Sequence, residues 1–239
     1  MHQTSQQPAP GTVRDRFGAL VWIIGSVQFF LCHLIVQSAW PTPYSWSLNN
    51  ISDLGNVNCQ PWGDNARYVC SPLHTVMNTS IIVGGLLIIV GIFAIESLWR
   101  RSFISWAARV LLIIVGLAWL LVGLTPADVE ENLHVLGALF IMIPGNLGLM
   151  LMVLSARYGY MKTIRILATL MGIIGLVATG LFFSGHYLTL GMGGMERVAV
   201  FPLQIWNFIA GCTLLIAVVR ERRRAALEAL IEDYHEREY

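Results

Sequence analysis

Histidine and carboxylate side chains are sparse in this chain, and many of them stand at the ends of apolar runs. His74 lies in SPLHTVMN with Asn78 one helical turn on, and His134 lies in ENLHVLGALF just after Asp128, Glu130 and Glu131. His186 follows, then the adjacent pair Glu196-Arg197 in GMGGMER. Ser52 and Asp53 stand in a polar stretch, NNISDLGNVNC, between two long apolar runs. Imidazole and carboxylate are zinc ligands, and a serine hydroxyl or a metal-bound water beside them can serve hydrolysis. On that reading Ser52, Asp53, His74, His134, Glu196 and Arg197 are the candidate catalytic residues. Asn78, Asp128 and His186 are candidate binding residues, and a zinc ion would draw its ligands from His74, His134, His186 and Asp53. The same groups could instead hold a lipid or small molecule without a metal, or satisfy one another as a buried network that fixes helix packing. No compact motif such as H-E-x-x-H is present, so a metal would depend on residues distant in sequence. His33 has no acid near it in sequence and reads as a core residue; Glu196-Arg197 also reads as an ion pair at a helix start.

The elements that must position these groups follow from composition. Of 239 residues, 56% are hydrophobic and 12% charged, against about 25% charged in a soluble domain; the mean hydropathy is +0.64. A net charge of +1 provides no field for nucleic acid. Runs of about 20 apolar residues cross a hydrocarbon core of about 30 Å, and six qualify: about 17–40, 73–99, 104–124, 134–156, 166–185 and 198–219. The expected fold is therefore all-α, a polytopic six-helix membrane bundle over residues 1–219, with a connecting loop at 41–72 and a basic tail at 220–239. The first run is longer than a signal-peptide core of about 7–15 residues and reads as an uncleaved span. Glycines within the runs suit close helix packing, and Pro144 and Pro202 are expected to kink or thin their helices. In the tail, Leu227, Leu230, Ile231 and Tyr234 recur at helical spacing, which extends the sixth run as a helix whose arginines meet anionic headgroups.

Lysine and arginine are retained on the cytoplasmic side of a membrane. Arg14, Arg16, Arg100, Arg101, Arg157, Lys162, Arg165 and the tail arginines lie on one side, and Arg67 and Arg197 on the other. Both termini are expected in the cytoplasm and loop 41–72 outside, in the cell membrane. There thiols oxidise, so Cys59 and Cys70 are expected to pair, whereas Cys32 and Cys212 read as small core hydrophobes. This sidedness puts His33, His74, His134, His186 and most of the acids outside the tail at one external level, with NNISDLG folded as a cap over the bundle and Asp53 and Ser52 directed toward His74 and His134. Ionisable groups near hydrocarbon usually face the interior and mark function.

Taken together, NNISDLGN, SPLHTVMN, LHVLGALF and GGMERVAVFPLQIW resemble the multi-pass membrane family called domain of unknown function 998. The ISDLG and HVLGALF stretches are also similar, more distantly, to the P-x-I-S-D-x-G and H-x-x-G-A patterns of DRAM-type autophagy-modulator membrane proteins, from which the chain departs in having Asn50 before Ile-Ser-Asp. The first resemblance implies a six-span bundle with signature positions at Ser52, Asp53, Gly55, His74, Asn78, His134, Gly137, Glu196 and Arg197; the second implies lipid handling. The resulting expectation is a lipid-handling membrane protein, or a lipid hydrolase, with membrane lipids as partners and a homo-oligomer as a further candidate. The alternative is a non-enzymatic sensor, chaperone or small transporter whose polar layer is structural.

Overall fold

The computed structural model describes residues 12–63, 66–155 and 162–238. The described residues form six α-helices: α1 (Val13–Ser38), α2 (His74–Ala94), α3 (Phe103–Leu124), α4 (Glu131–Ser155), α5 (Lys162–Phe183) and α6 (Gly191–Glu238). Each is long and apolar enough to cross a membrane. In hydrocarbon a backbone must satisfy its own hydrogen bonds, and a helix does so within one segment. Each helix packs on the next in chain order and α6 returns to α1, so the six form a closed ring. Phe29, Trp119, Trp206, Met142 and Leu149 are buried inside it, while Ile24, Leu86, Phe93, Leu117 and Val177 stand on its outer surface. The protein is a multi-pass integral membrane protein.

Lipid tails are as apolar as leucine, so the seams need close packing and polar contacts rather than a hydrophobic drive. A Cβ on Gly85 of α2 would lie 2.5 Å from the Gly116 carbonyl oxygen of α3; only glycine lets these two backbones meet. Between α1 and α2, Trp22 Nε1 donates to the Ile88 carbonyl at 3.2 Å. Across the same seam Gln28 Nε2 donates to the Ser80 carbonyl, and Ser80 Oγ donates to Gln28 Oε1. Ser26 Oγ donates to the Gln204 carbonyl and ties α1 to α6. Asn146, buried in α4, donates to the Ala199 carbonyl of α6 at 2.9 Å.

Two expectations about the helices need correction. The second run does not continue to Trp99: α2 ends at Ala94. Buried Asp15 accepts the Ser97 N–H at 3.1 Å, and Ile95, Leu98 and Trp99 are buried, so their apolarity serves a packed turn rather than a span. The sixth helix begins at Gly191 rather than near 198, which brings Glu196 and Arg197 into its first two turns. α4 and α6 remain helical through Pro144 and Pro202. The tail is helical as its spacing predicts, and Leu227, Leu230, Ile231 and Tyr234 are exposed.

The α2–α3 seam generates a paired test. Gly85→Val forces its branches against the α3 backbone and is expected to lower stability by about 1–3 kcal/mol. Gly180→Ala, where an added Cβ meets nothing within 4 Å, is expected to be neutral or stabilising by up to about 1 kcal/mol. Thermal unfolding of the detergent-solubilised protein measures both; equal melts for the two variants would refute the close-packed seam.

Candidate functional site

The connection between α1 and α2 folds over one mouth of the ring. Its first part is shaped by asparagine and aspartate side chains that bond their own backbone: Asn49 Oδ1 accepts the Ser45 N–H at 3.0 Å, and Asp53 Oδ2 accepts the Asn50 N–H at 3.0 Å. Such contacts favour turns over regular structure, and a short 3-10 turn, Ser52–Gly55, follows. Leu54 within it is fully buried. Three stitches fasten the turn and its sequel to α2, to the segment just before it and to the α3–α4 connection. Ser71 Oγ donates to the Leu54 carbonyl at 2.7 Å. Asn78 Nδ2 of α2 donates to the Gly55 carbonyl at 2.9 Å, an approach that a side chain on Gly55 would obstruct. Asp128, between α3 and α4, accepts the Val57 and Asn58 N–H groups at 3.0 and 2.7 Å.

Beyond these stitches the chain makes an antiparallel hairpin of β1 (Gln60–Trp62) and β2 (Arg67–Val69). Cys59 and Cys70 are joined by a disulfide at its open end, as expected. The hairpin sends Arg67 back to Asp53: Nε donates to Oδ2 at 2.8 Å and Nη2 to Oδ1 at 2.6 Å. Asp53 is 0% exposed, and this two-pronged pair supplies its countercharge. Asp53 thus spends its carboxylate on Arg67 and the Asn49–Asn50 segment, rather than on His74 and His134 as expected.

The start of α6 carries the other half of the grip. Gly191 has a φ of +73°, a region that glycine enters without strain. A Cβ on Gly193 would collide with the Asn49 carbonyl, so the loop lies directly on the helix start, where the Gly193 N–H donates to the Ser47 carbonyl at 2.9 Å. Glu196 Oε2 accepts the Ile51 N–H, placing a carboxylate at the start of the 3-10 turn, where a negative charge is favoured. Arg197 Nη1 donates to the carbonyls of Trp46, Asn49 and Gly193 at 3.0, 2.8 and 2.7 Å. Its Nη2 donates to the Tyr44 hydroxyl, and the guanidinium lies 4.8 Å from the Trp46 ring centroid. Burial raises the Tyr44 phenol above its ordinary range, so it stays protonated and donates to the Asn50 carbonyl at 2.7 Å. Among the described residues no ion pair joins Glu196 to Arg197; the two side chains diverge.

This divergence separates two spaces. Inside the ring, beneath the cap, a cavity of about 40 Å³ has Ser52, His134 and Glu196 among apolar walls that include Phe29, Trp119 and Met142. His134 Nδ1 donates to the Thr125 carbonyl at 2.8 Å, which in a neutral ring leaves Nε2 as the acceptor. On the other side, between α5 and α6, a groove of about 570 Å³ is lined by Met171, Ile174, Val198, Phe201 and Ile205, with Trp46 and Arg197 among its further residues.

The remaining candidates stand apart. His74 Nδ1 donates to the Ser71 carbonyl, and exposed His186 donates to the Ser184 carbonyl. Among the described residues no three His, Cys, Asp or Glu side chains are placed to hold a metal ion. His74, His134, His186 and Asp53, the expected zinc ligands, are thus not brought together: each faces a different partner. His33 is 1% exposed, as a core residue should be, and sits among the rings of Phe29, Tyr44, Trp46 and Phe201. Sequence reasoning missed the role of Arg67; its one signal was to be, with Arg197, a lone cation on the side of the chain poor in arginine.

Residues 23–225 match the family described as Protein of unknown function (DUF998). That match spans most of the chain, which belongs to this family. No curated protein and no solved structure matches the chain.

The buried Asp53–Arg67 pair can be tested by a double-mutant cycle. Arg67→Gln leaves a buried carboxylate without its countercharge and is expected to cost about 3–5 kcal/mol. Asp53→Asn combined with Arg67→Gln is expected to cost less than the sum of the single changes, because the two share one interaction. Thermal unfolding reads the cycle, and strict additivity would contradict the pairing.

Proposed function

We propose that the protein handles a membrane lipid at the capped end of the bundle, with the lipid's polar headgroup at Arg197 and its chain along the α5–α6 groove. The observation that carries this reading is the groove itself: about 570 Å³, walled by Met171, Ile174, Phe201 and Ile205, with a single cation, Arg197, among its lining residues. That volume falls within the range of about 300–1,000 Å³ common to ligand sites. Arg197 is buried and its Nε has no partner among the described residues, while its other donors are held by the cap. An anionic headgroup oxygen answers both the charge and the unused donor. The hydroxyls of Ser47 and Thr189, which also line the groove, add neutral hydrogen-bonding capacity. In the orientation that the arginine distribution predicts, the groove opens toward the outer leaflet of the cell membrane. The likeness of the cap motifs to DRAM-type proteins, with its implication of lipid handling, is in keeping with this reading.

A hydrolytic reading rests on a different observation, that Ser52 and His134 line one cavity. Binding is favoured over it because Glu196, the carboxylate that lines the cavity, accepts the Ile51 N–H, and Asp53, next to Ser52 in sequence, is paired with Arg67.

Ile174 is exposed on α5 and lines the groove, so Ile174→Trp fills that space without touching the cap's hydrogen bonds. Lipid extracted from purified protein and quantified by mass spectrometry is expected to fall at least several-fold in this variant, with the melting temperature unchanged. Ser52→Ala is expected to retain the lipid. Equal lipid in Ile174→Trp and the parent would overturn the groove assignment; turnover of an ester lipid by the parent that Ser52→Ala abolishes would favour hydrolysis instead.

A further inference from the structure

At the end of the bundle opposite the cap, the short connection between α2 and α3 carries more unpaired charge than its structural role requires. Arg100 and Arg101 lie in the connection and Arg109 two turns into α3, and all three line one cavity of about 280 Å³. Among the described residues none of the three forms an ion pair, whereas Arg224 and Arg237 of the tail are each paired to an acid one helical turn away. Glu96 also lines the cavity, but it is exposed and faces Arg14 at 3.8 Å, so three arginines stand against one carboxylate that already has a cation of its own.

Independent of the charge is an unused donor. Trp99 lines the same cavity and is 4% exposed, yet its indole Nε1 has no hydrogen-bond partner among the described residues. A buried N–H left unpaired is costly; those of Trp40, Trp119 and Trp206 are also unpaired among the described residues, and of the four indoles Trp99 is the one that lines this cavity. The Arg109 guanidinium lies 5.7 Å from the Trp99 ring centroid, which ties the deepest cation to that indole. Ser102 caps α3 by accepting the Ser105 N–H, so the positive end of the helix dipole belongs to the same site.

The wall is held in place rather than loose. Asp15 of α1 accepts the Ser97 N–H at 3.1 Å, and the Arg100 N–H donates to the Ser155 carbonyl of α4 at 3.0 Å. At the rim, Phe103 and Trp106 are 78% and 60% exposed and stack on each other at 5.8 Å. Paired exposed aromatics at the first turn of a spanning helix mark the membrane–water boundary, where tryptophan is enriched.

We infer that this cavity binds a phosphate group, carried by an anionic phospholipid whose headgroup enters between Arg101, Arg109 and Trp99. Guanidinium groups match phosphate oxygens in a two-pronged geometry, the indole N–H adds a further donor, and the rim aromatics sit at headgroup depth. The site is separate from the α5–α6 groove and stands whether or not that groove holds a lipid.

The test uses the full-length protein, delipidated in neutral detergent and titrated by native mass spectrometry with phosphatidylglycerol or phosphatidylcholine. Phosphatidylglycerol is expected to bind several-fold more tightly than phosphatidylcholine, and the preference to weaken at high salt. Arg101→Gln and Arg109→Gln are each expected to weaken phosphatidylglycerol binding about fivefold, the equivalent of about 1 kcal/mol per arginine at a membrane surface. Should either fail to fold, Arg101→Lys keeps the charge and loses the fork, and Trp99→Phe removes the indole donor together with part of the ring; both are expected to weaken binding, with the melt unchanged for Arg101→Lys and somewhat lowered for Trp99→Phe, whose smaller ring leaves a cavity. Competition distinguishes the sources of the phosphate: millimolar inorganic phosphate that fails to displace the lipid supports a lipid headgroup, and full displacement with an equal rise in melting temperature supports a free phosphate in the same cavity. Equal binding of the two lipids, or undiminished phosphatidylglycerol binding in folded arginine and Trp99 variants, would overturn the site.

Discussion

Two neighbouring side chains on the first turns of α6, Glu196 and Arg197, leave the helix in different directions and take hold of the same loop. The carboxylate receives the Ile51 N–H, and the guanidinium gives hydrogen bonds to the Trp46 and Asn49 carbonyls and to the Tyr44 hydroxyl. An irregular loop over the mouth of a membrane bundle has backbone donors and acceptors that neither a helix ladder nor lipid can satisfy. A buried acid answers the donors and a buried base answers the acceptors. Each binds groups of the loop, and among the described residues the two do not meet as an ion pair. Remove this grip and the cap loses its register on α6, with it the partition between the inner cavity and the outer groove.

The rest of the capped end follows from that constraint. Because the loop must approach the helix start closely, residues 191 and 193 are glycine, the first for its φ of +73° and the second for want of room beside the Asn49 carbonyl. Because the 3-10 turn is fixed by Glu196 from below, Asp53 on its upper side is free to receive Arg67 from the hairpin, and the Cys59–Cys70 bridge holds that hairpin closed. Most members of the polar layer make hydrogen bonds that hold the cap, while Ser52, His134 and Glu196 line the cavity and Arg197 lines the groove.

The six spans were legible because hydrocarbon permits little else than a helix of about 20 apolar residues. Composition misleads where an apolar segment is buried by a turn instead: Ile95, Leu98 and Trp99 look like the last turn of a span, and only the distant Asp15 shows that the helix stops before them. Oxidation chemistry made the disulfide legible. The direction of Asp53 was not legible, since its partner depends on the register of a hairpin that brings Arg67 across from Trp62. The polar contacts of Ser26, Gln28 and Asn146 were also read past, because an isolated polar residue in an apolar run has no periodic signal to say which neighbouring helix it meets.

Hydrogen exchange across residues 45–56 in the intact, detergent-solubilised protein tests the central claim most directly. If Glu196 and Arg197 lock the cap, the amides of Ile51 and Ser52 exchange slowly, on the scale of the helical spans, and Arg197→Gln speeds the segment without changing protection of α2 to α5. Fast exchange at Ile51 in the parent protein, at the rate of an exposed loop, would contradict the account.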